Sequence, residues 1–140
     1  MYLPDVNLWL ALAFGSHVHH KVARDWFEGL SSDRCSFCRL TQQGFLRLAT
    51  NPKALGADAV TLATAWRMYD VILGDPRISF TFEPDGLEPL WRDYTQHRSF
   101  SPNVWNDAFL AAFAGAADYD LITFDKGFSQ YTRLKCTILS

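Results

Sequence analysis

The sequence predicts an α/β fold in which helices flank a mostly parallel sheet. Two observations support this: short β-type runs alternate with helical patterns, and no linker, repeat or low-complexity segment interrupts the alternation. A length of 140 residues, with 49% hydrophobic and 20% charged residues, is typical of one soluble globular domain. We therefore expect a single domain over residues 1–140.

The β-type runs are short, apolar and bounded by turn-forming residues. They lie at residues 1–5, 34–38, 78–82, 120–124 and 135–139. Because helical segments separate most of these runs, crossovers must connect the strands, and crossovers produce parallel pairs. Parallel α/β sheets place their ligand sites beyond the carboxyl ends of the strands.

The first two helical segments are identified by apolar residues that recur at helical spacing. HVHHKVARDWFEGL carries Val18, Val22 and Trp26 on one face. TQQGFLRLAT predicts a short helix that ends before the break at Asn51 and Pro52.

The later helices show an apolar stripe, cap signals or small residues. A long stripe over residues 62–73 has Asp58 as its expected cap and ends at Gly74. Asp85 with Glu88 resembles a capping box ahead of the next helix. Residues 103–117, NVWNDAFLAAFAGAA, predict a helix of small residues that packs closely on the sheet.

Composition and charge exclude several classes of protein. A net charge of −2 and a pI near 6.0 exclude a globally basic surface. Nucleic acid would need a local basic patch, or metal ions that bridge phosphate to carboxylate. We expect no signal peptide, because the first residues include Pro4 and Asp5 rather than a basic and apolar leader, and no apolar run approaches the ~18 residues that a membrane span needs. With only three cysteines, we expect a reduced, cytoplasmic protein without membrane contact.

Three acids stand in apolar surroundings where the fold would place a site. Asp5 ends the first β-type run, and Asp125 follows the run DLITF. Asp107 shares a helix face with Leu110 and Ala111, so it should point toward the sheet. We expect these carboxylates to converge at one edge of the sheet.

Three carboxylates close together repel one another unless their pKa values rise or a cation lies between them. Hard oxygen ligands suit Mg²⁺ or Mn²⁺, which could activate a water against a phosphodiester. Each acid alone also has a purely structural interpretation. Asp5 could cap the following helix, Asp125 could form a turn with Lys126 and Gly127, and Asp107 could pair with an arginine.

Four stretches resemble the successive motifs of PIN-domain ribonucleases, and most closely those of the VapC toxins of toxin–antitoxin modules. In chain order they are PDVNLWLALAF, FLRLATNP, WNDAFLAAFA and LITFDKGF. Together they extend over nearly the whole chain. The resemblance implies a compact three-layer α/β/α domain, usually a homodimer, that cleaves RNA with Mg²⁺ or Mn²⁺ and is neutralised by a cognate VapB-type antitoxin.

The resemblance also implies roles for individual residues. Asp5, Asp107 and Asp125 match the family's metal-binding acids, and Asn7 matches an asparagine expected to support the site by hydrogen bonding. The family commonly carries a glutamate just ahead of the FLRLATNP stretch, where this sequence has Gly44. This departure keeps a second hypothesis open, namely a catalytically degenerate PIN-like module that binds RNA or a partner without cleavage.

Other signals favour structural roles or remain open. Cys35 and Cys38 have the C-x-x-C spacing, but no second pair completes a zinc site, so we expect buried thiols. No metal role is expected for the HVHH histidines. Arg47 could contact RNA or form an internal ion pair, and Trp105 could stack on a base or belong to the core.

Overall fold

A computed structural model describes residues 1–140. The strands are β1 (Tyr2–Pro4), β2 (Cys35–Phe37), β3 (Ile78–Phe80), β4 (Asp120–Thr123) and β5 (Cys136–Ile138). The helices are α1 (Val6–Ala13), α2 (His20–Glu28), α3 (Arg39–Ala49), α4 (Pro52–Leu55), α5 (Leu62–Leu73), α6 (Leu87–Thr95) and α7 (Val104–Ala117). Two 3₁₀ segments, Gly56–Asp58 and Lys126–Gln130, complete the chain.

The five strands form one parallel sheet in the order β3-β2-β1-β4-β5. The chain moves outward from β1 to β3 through α1–α5, and then returns through α6 and α7 to β4 on the other side of β1. Because such crossovers are right-handed, this reversal places α6 and α7 on the opposite face of the sheet from the earlier helices. The carboxyl ends of β1 and β4 therefore border the point where the direction of the chain reverses.

Side chains of the central strands alternate between two cores. Leu3 and Leu121 pack with Phe113 and other residues of α6 and α7. Ile122, the next residue of β4, packs with Leu8 of α1 on the other face. This alternation is expected of strands covered on both sides. The result is a three-layer α/β/α sandwich, which confirms the predicted fold class.

Two predicted helix caps were wrong. Thr61, not Asp58, caps α5, because its Oγ1 accepts the Thr64 amide at 3.2 Å. Asp58 lies at the end of a 3₁₀ segment and accepts the Ser16 hydroxyl at 2.7 Å. The capping box at Asp85 does not form, because α6 starts after Gly86, and glycine has no side chain that could cap the helix. No helix in the structure combines the length and the apolar character needed to cross a bilayer.

Candidate active site

The carboxyl ends of β1 and β4 bring two of the predicted acids to the same edge of the sheet. β1 and β4 pair in register, with Pro4 opposite Ile122. Asp5 follows β1 directly, and Asp125 lies just beyond the end of β4. In an α/β sheet this edge is the usual place for a ligand.

Asp5 is a helix cap and a member of the site at the same time. Its Oδ1 accepts the Val6 amide at 2.6 Å, at the start of α1, and its Oδ2 accepts the Thr123 hydroxyl at 2.9 Å. Burial raises the pKa of Asp5, and the charge of Asp125 adds to this, while the two hydrogen bonds lower it. The net effect is a raised pKa, as expected for a carboxylate that is withdrawn from water near a second acid.

Thr123 joins the two strand-borne acids, a role that the sequence interpretation missed. Its side chain is fully buried, donates to Asp5 and accepts the Asp125 amide at 3.0 Å. Asp125 in turn accepts the Gly127 amide at 2.8 Å, so it also forms the predicted turn. The one feature of the sequence that could have indicated this role is the position of Thr123 two residues ahead of an acid at a strand end, in ITFD.

Asp107 lies in the first turn of α7 and has no partner. Its carboxyl group accepts no hydrogen bond and forms no ion pair, which rules out the predicted alternative of an arginine partner. Burial raises the pKa of Asp107 to about 6, with further contributions from the charges of Asp5 and Asp125. The three carboxylates are therefore close enough to influence one another.

One cleft of about 480 Å³ contains all four residues predicted for the site: Asp5, Asn7, Asp107 and Asp125. Its remaining polar lining consists of Gln43, Arg47, Asn103 and Asn106. Arg47, left open by the sequence, lines this cleft, is exposed and forms no ion pair. The cleft therefore combines a carboxylate centre with amide groups and one guanidinium.

The carboxylates share this cleft but are not drawn into a tight cluster. No group of three or more His, Cys, Asp and Glu side chains has the spacing of a formed metal site. Asp5 and Asp125 instead direct oxygens at nearby backbone amides, and like charges favour separation. The donor set still fits a hard divalent cation, because it consists of carboxylate oxygens that no cationic side chain neutralises.

Gly44 lines the cleft and lets α3 approach α1 closely. A Cβ atom added at this position would lie only 2.5 Å from Cγ2 of Val6. Gln43 also lines the cleft, whereas Gln42 turns away and accepts from Arg39. Close helix packing thus occupies the position where the resemblance predicts a glutamate.

The other signals have mainly structural roles. Cys35 and Cys38 are buried, as predicted, and burial raises the pKa of the Cys35 thiol to about 12. Trp105 is 58% exposed and lies outside the cleft, with its ring edge-on to Trp91 at a centroid distance of 5.9 Å. Trp105 is therefore not a core residue.

Residues 2–134 match the PIN domain family. Over an alignment 145 positions long, the chain is 43% identical to ribonuclease VapC41 of Mycobacterium tuberculosis, with 100% of this chain and 99% of VapC41 covered. The chain belongs to the VapC family of PIN domains. Ribonuclease VapC38 of the same species is 34% identical over 131 residues, which cover 91% of this chain and 86% of VapC38.

Solved VapC structures share the fold at low sequence identity. VapBC2 from Rickettsia felis, bound to a promoter DNA fragment, superposes with a TM-score of 0.73 at 12% identity and covers 99% of this chain and 98% of that chain. Mycobacterium tuberculosis VapC20, a sarcin–ricin loop cleaving toxin, superposes with a TM-score of 0.67 at 17% identity and covers 96% and 99%. At such identities the likeness establishes the fold alone.

Proposed function

We propose that this VapC-family chain is a metal-dependent endoribonuclease toxin. The observation that carries the proposal is the convergence of Asp5, Asp107 and Asp125 in one cleft without any cationic partner. Membership of the VapC family and the ribonuclease name of VapC41 support the reaction class.

The same three acids would hold Mg²⁺ or Mn²⁺. Such an ion supplies positive charge that activates a water and neutralises the phosphodiester under attack. The chain itself contributes orientation: Thr123 donates to the carboxylate of Asp5, and the amide of Asn7, which lines the same cleft, would hydrogen-bond groups around the ion.

The substrate we propose is single-stranded or loop RNA. The bases of an A-form duplex are stacked and largely hidden from side chains, whereas loops expose them. A net charge of −2 provides no general attraction to RNA, so Arg47 in the cleft is the proposed phosphate contact. The similar fold of Mycobacterium tuberculosis VapC20, a sarcin–ricin loop cleaving toxin, supports a loop as the target class.

A cleavage assay on the purified, partner-free chain tests the proposal. A mixed RNA pool is incubated with Mg²⁺ or Mn²⁺ and, in parallel, with EDTA. We expect cuts only with the metals, and a loss of about a thousandfold or more in Asp5→Asn and Asp107→Asn, because each variant removes an ionic ligand. Asp93→Asn, which changes an exposed acid of α6 outside the cleft, is the matched control and should cleave like the parent.

The second candidate is a catalytically degenerate module that binds RNA or a partner. The observation that favours it is Gly44, which leaves the cleft without the family's glutamate. Metal-independent RNA binding without cuts under either ion would support this candidate against the nuclease.

We also propose a VapB-type antitoxin and a homodimer as partners. The similar solved structures include VapBC complexes, such as VapBC-1 from nontypeable Haemophilus influenzae with a TM-score of 0.69 at 17% identity. An antitoxin would lay a helix or extended tail across the cleft and place a basic residue among the unpaired acids. Co-expression with a neighbouring small open reading frame should give a co-purifying complex without cleavage activity, and light scattering of the free chain tests the dimer.

A further inference from the structure

A second cavity adjoins the catalytic cleft at Asp107. It measures about 270 Å³, and its lining includes Arg98, Ser101, Gln130 and Tyr131 in addition to Asp107. Asp107 lines both cavities, whereas Arg47 lines only the cleft and Arg98 only the second cavity. The two spaces therefore meet at a carboxylate proposed for the reaction, and each has an arginine of its own.

Arg98 is held in place by neutral groups. Its Nε donates to the Tyr94 carbonyl at 2.5 Å, and its Nη1 donates to the side-chain oxygen of Gln130. Its guanidinium also lies over the ring of Tyr131, with the Cζ atom 4.3 Å from the ring centroid. Because these contacts fix the side chain in advance, a ligand would not have to order it on binding.

No acid neutralises Arg98. It takes part in none of the ion pairs of the structure, although Asp107 lines the same cavity. By contrast, the exposed Arg92 and Arg24 pair with Glu88 and Glu28 on their own helices. A fixed guanidinium with unused donors and no counter-ion is suited to an anion.

We propose that this cavity binds a backbone phosphate of the RNA substrate adjacent to the scissile position, with Arg98 as the ligand of that phosphate. The proposal rests on the proposed nuclease function, because the shared Asp107 is what makes the cavity a continuation of the RNA path. Its volume lies below the roughly 300 Å³ at which pockets for drug-sized ligands begin, which suits one phosphate and its ribose. Arg98 is a substrate-binding residue in this scheme and takes no part in bond cleavage.

RNA affinity as a function of salt tests the subsite. Binding of a labelled single-stranded RNA of mixed sequence is followed by fluorescence anisotropy in Mg²⁺, with Asp5→Asn in every protein to prevent cleavage. Removing one phosphate contact in Arg98→Gln should weaken binding about tenfold at low salt, and should reduce the slope of log affinity against log salt by about 0.7. A purely structural role of Arg98 in closing the end of α6 would not move this slope.

Two further variants keep the test decisive. Ser101→Glu places a negative charge at the exposed rim of the cavity without touching the contacts of Arg98, so it should also weaken RNA binding. Arg24→Gln removes an arginine of α2, none of whose residues lines either cavity, and should leave affinity and slope unchanged. If the Arg98→Gln chain does not fold, the RNA affinity of the Ser101→Glu chain decides the test.

The outcomes separate the subsite from the nuclease proposal. Unchanged affinity and slope in a folded Arg98→Gln chain, or in Ser101→Glu if Arg98→Gln is unfolded, overturn the subsite even when the parent chain cleaves RNA. If the parent chain cleaves no RNA but Arg98→Gln loses affinity, the nuclease proposal fails and the phosphate site stands.

Discussion

The strand side and the helix side of the cleft hold their acids in different ways. On the strand side, backbone amides and the Thr123 hydroxyl bind the carboxylates of Asp5 and Asp125. On the helix side, Asp107 has no donor or cation, and its pKa rises to about 6. Folding therefore fixes the strand-side acids. Asp107 instead keeps its oxygens free for a ligand, and burial beside two like charges raises its pKa.

The Thr123 hydroxyl is the sharpest test of the strand side. Thr123→Val keeps the shape of the side chain but removes the hydroxyl that donates to the Asp5 carboxylate and accepts from the Asp125 amide. Because both groups lose this hydrogen bond, we expect the free energy of unfolding to fall by about 3 kcal/mol. Urea denaturation measures this loss, and Thr123→Ser should restore most of it. A Thr123→Val chain as stable as the parent would show that the strand side is held by packing rather than by hydrogen bonds.

On the other wall of the cleft, a substitution at Gly44 tests how much the stability of the chain depends on the close approach of α3 to α1. An exchange of glycine for alanine inside a helix normally stabilises it by about 1 kcal/mol. Gly44→Ala should instead cost about 2 kcal/mol, because its Cβ would lie 2.5 Å from Val6 Cγ2.

Thermal or urea unfolding of a double-mutant cycle checks the cause of this cost. Val6→Ala removes the clashing methyl groups, so adding Gly44→Ala to it should cost almost nothing more. If the losses of unfolding free energy in the two single variants simply add in the double variant, the contact with Val6 is not the cause of the destabilisation by Gly44→Ala. The same clash predicts that Gly44→Glu, which restores the family's usual acid, destabilises the chain unless Val6 is also reduced.

Asp107 has the smallest predicted effect on the free energy of unfolding, and the size of this effect depends on pH. Its pKa rises on folding from 3.8 to about 6, so the folded state holds more protons in this window and its stability falls as pH rises through it. Asp107→Asn removes this penalty. After allowance for solvent at the half-buried group, it should exceed the parent in stability by about 1 kcal/mol above this window.

Urea denaturation in EDTA across the same pH window measures this difference. The raised pKa of Asp5 is common to both chains and cancels in the comparison. Added Mg²⁺ should stabilise the parent more than Asp107→Asn, because only the parent keeps all three carboxylates. A difference between the chains that does not change with pH would show that Asp107 is better solvated than its surroundings indicate.

The sequence predicted the features that depend on local pattern and on general rules of parallel sheets. Alternating runs predicted the five strands, the strand-end rule selected Asp5 and Asp125, and the helix face shared with Leu110 and Ala111 selected Asp107. The structure brings all three acids to one cleft. The cap predictions at Asp58 and Asp85 failed because neighbouring backbone conformation, at Thr61 and Gly86, decided where each helix starts.

The features that escaped prediction depend on contacts between distant residues. Thr123 and Asp5 are 118 positions apart, and nothing near Thr123 in the sequence indicates which carboxylate its hydroxyl will meet. Arg98 likewise appears as one of many surface cations until folding brings Gln130 and Tyr131 against it. Periodicity reports which face of an element is buried, and it carries no information about the partner across a cleft.

The pairing of β1 with β4 also bears on when during synthesis the site can form. Asp5 is synthesised 118 residues before its hydrogen-bond partner Thr123. Over that interval a nascent chain carries Asp5 without the strand that fixes its carboxylate. The carboxylate centre can therefore assemble only after β4, the strand that carries Thr123, has been synthesised.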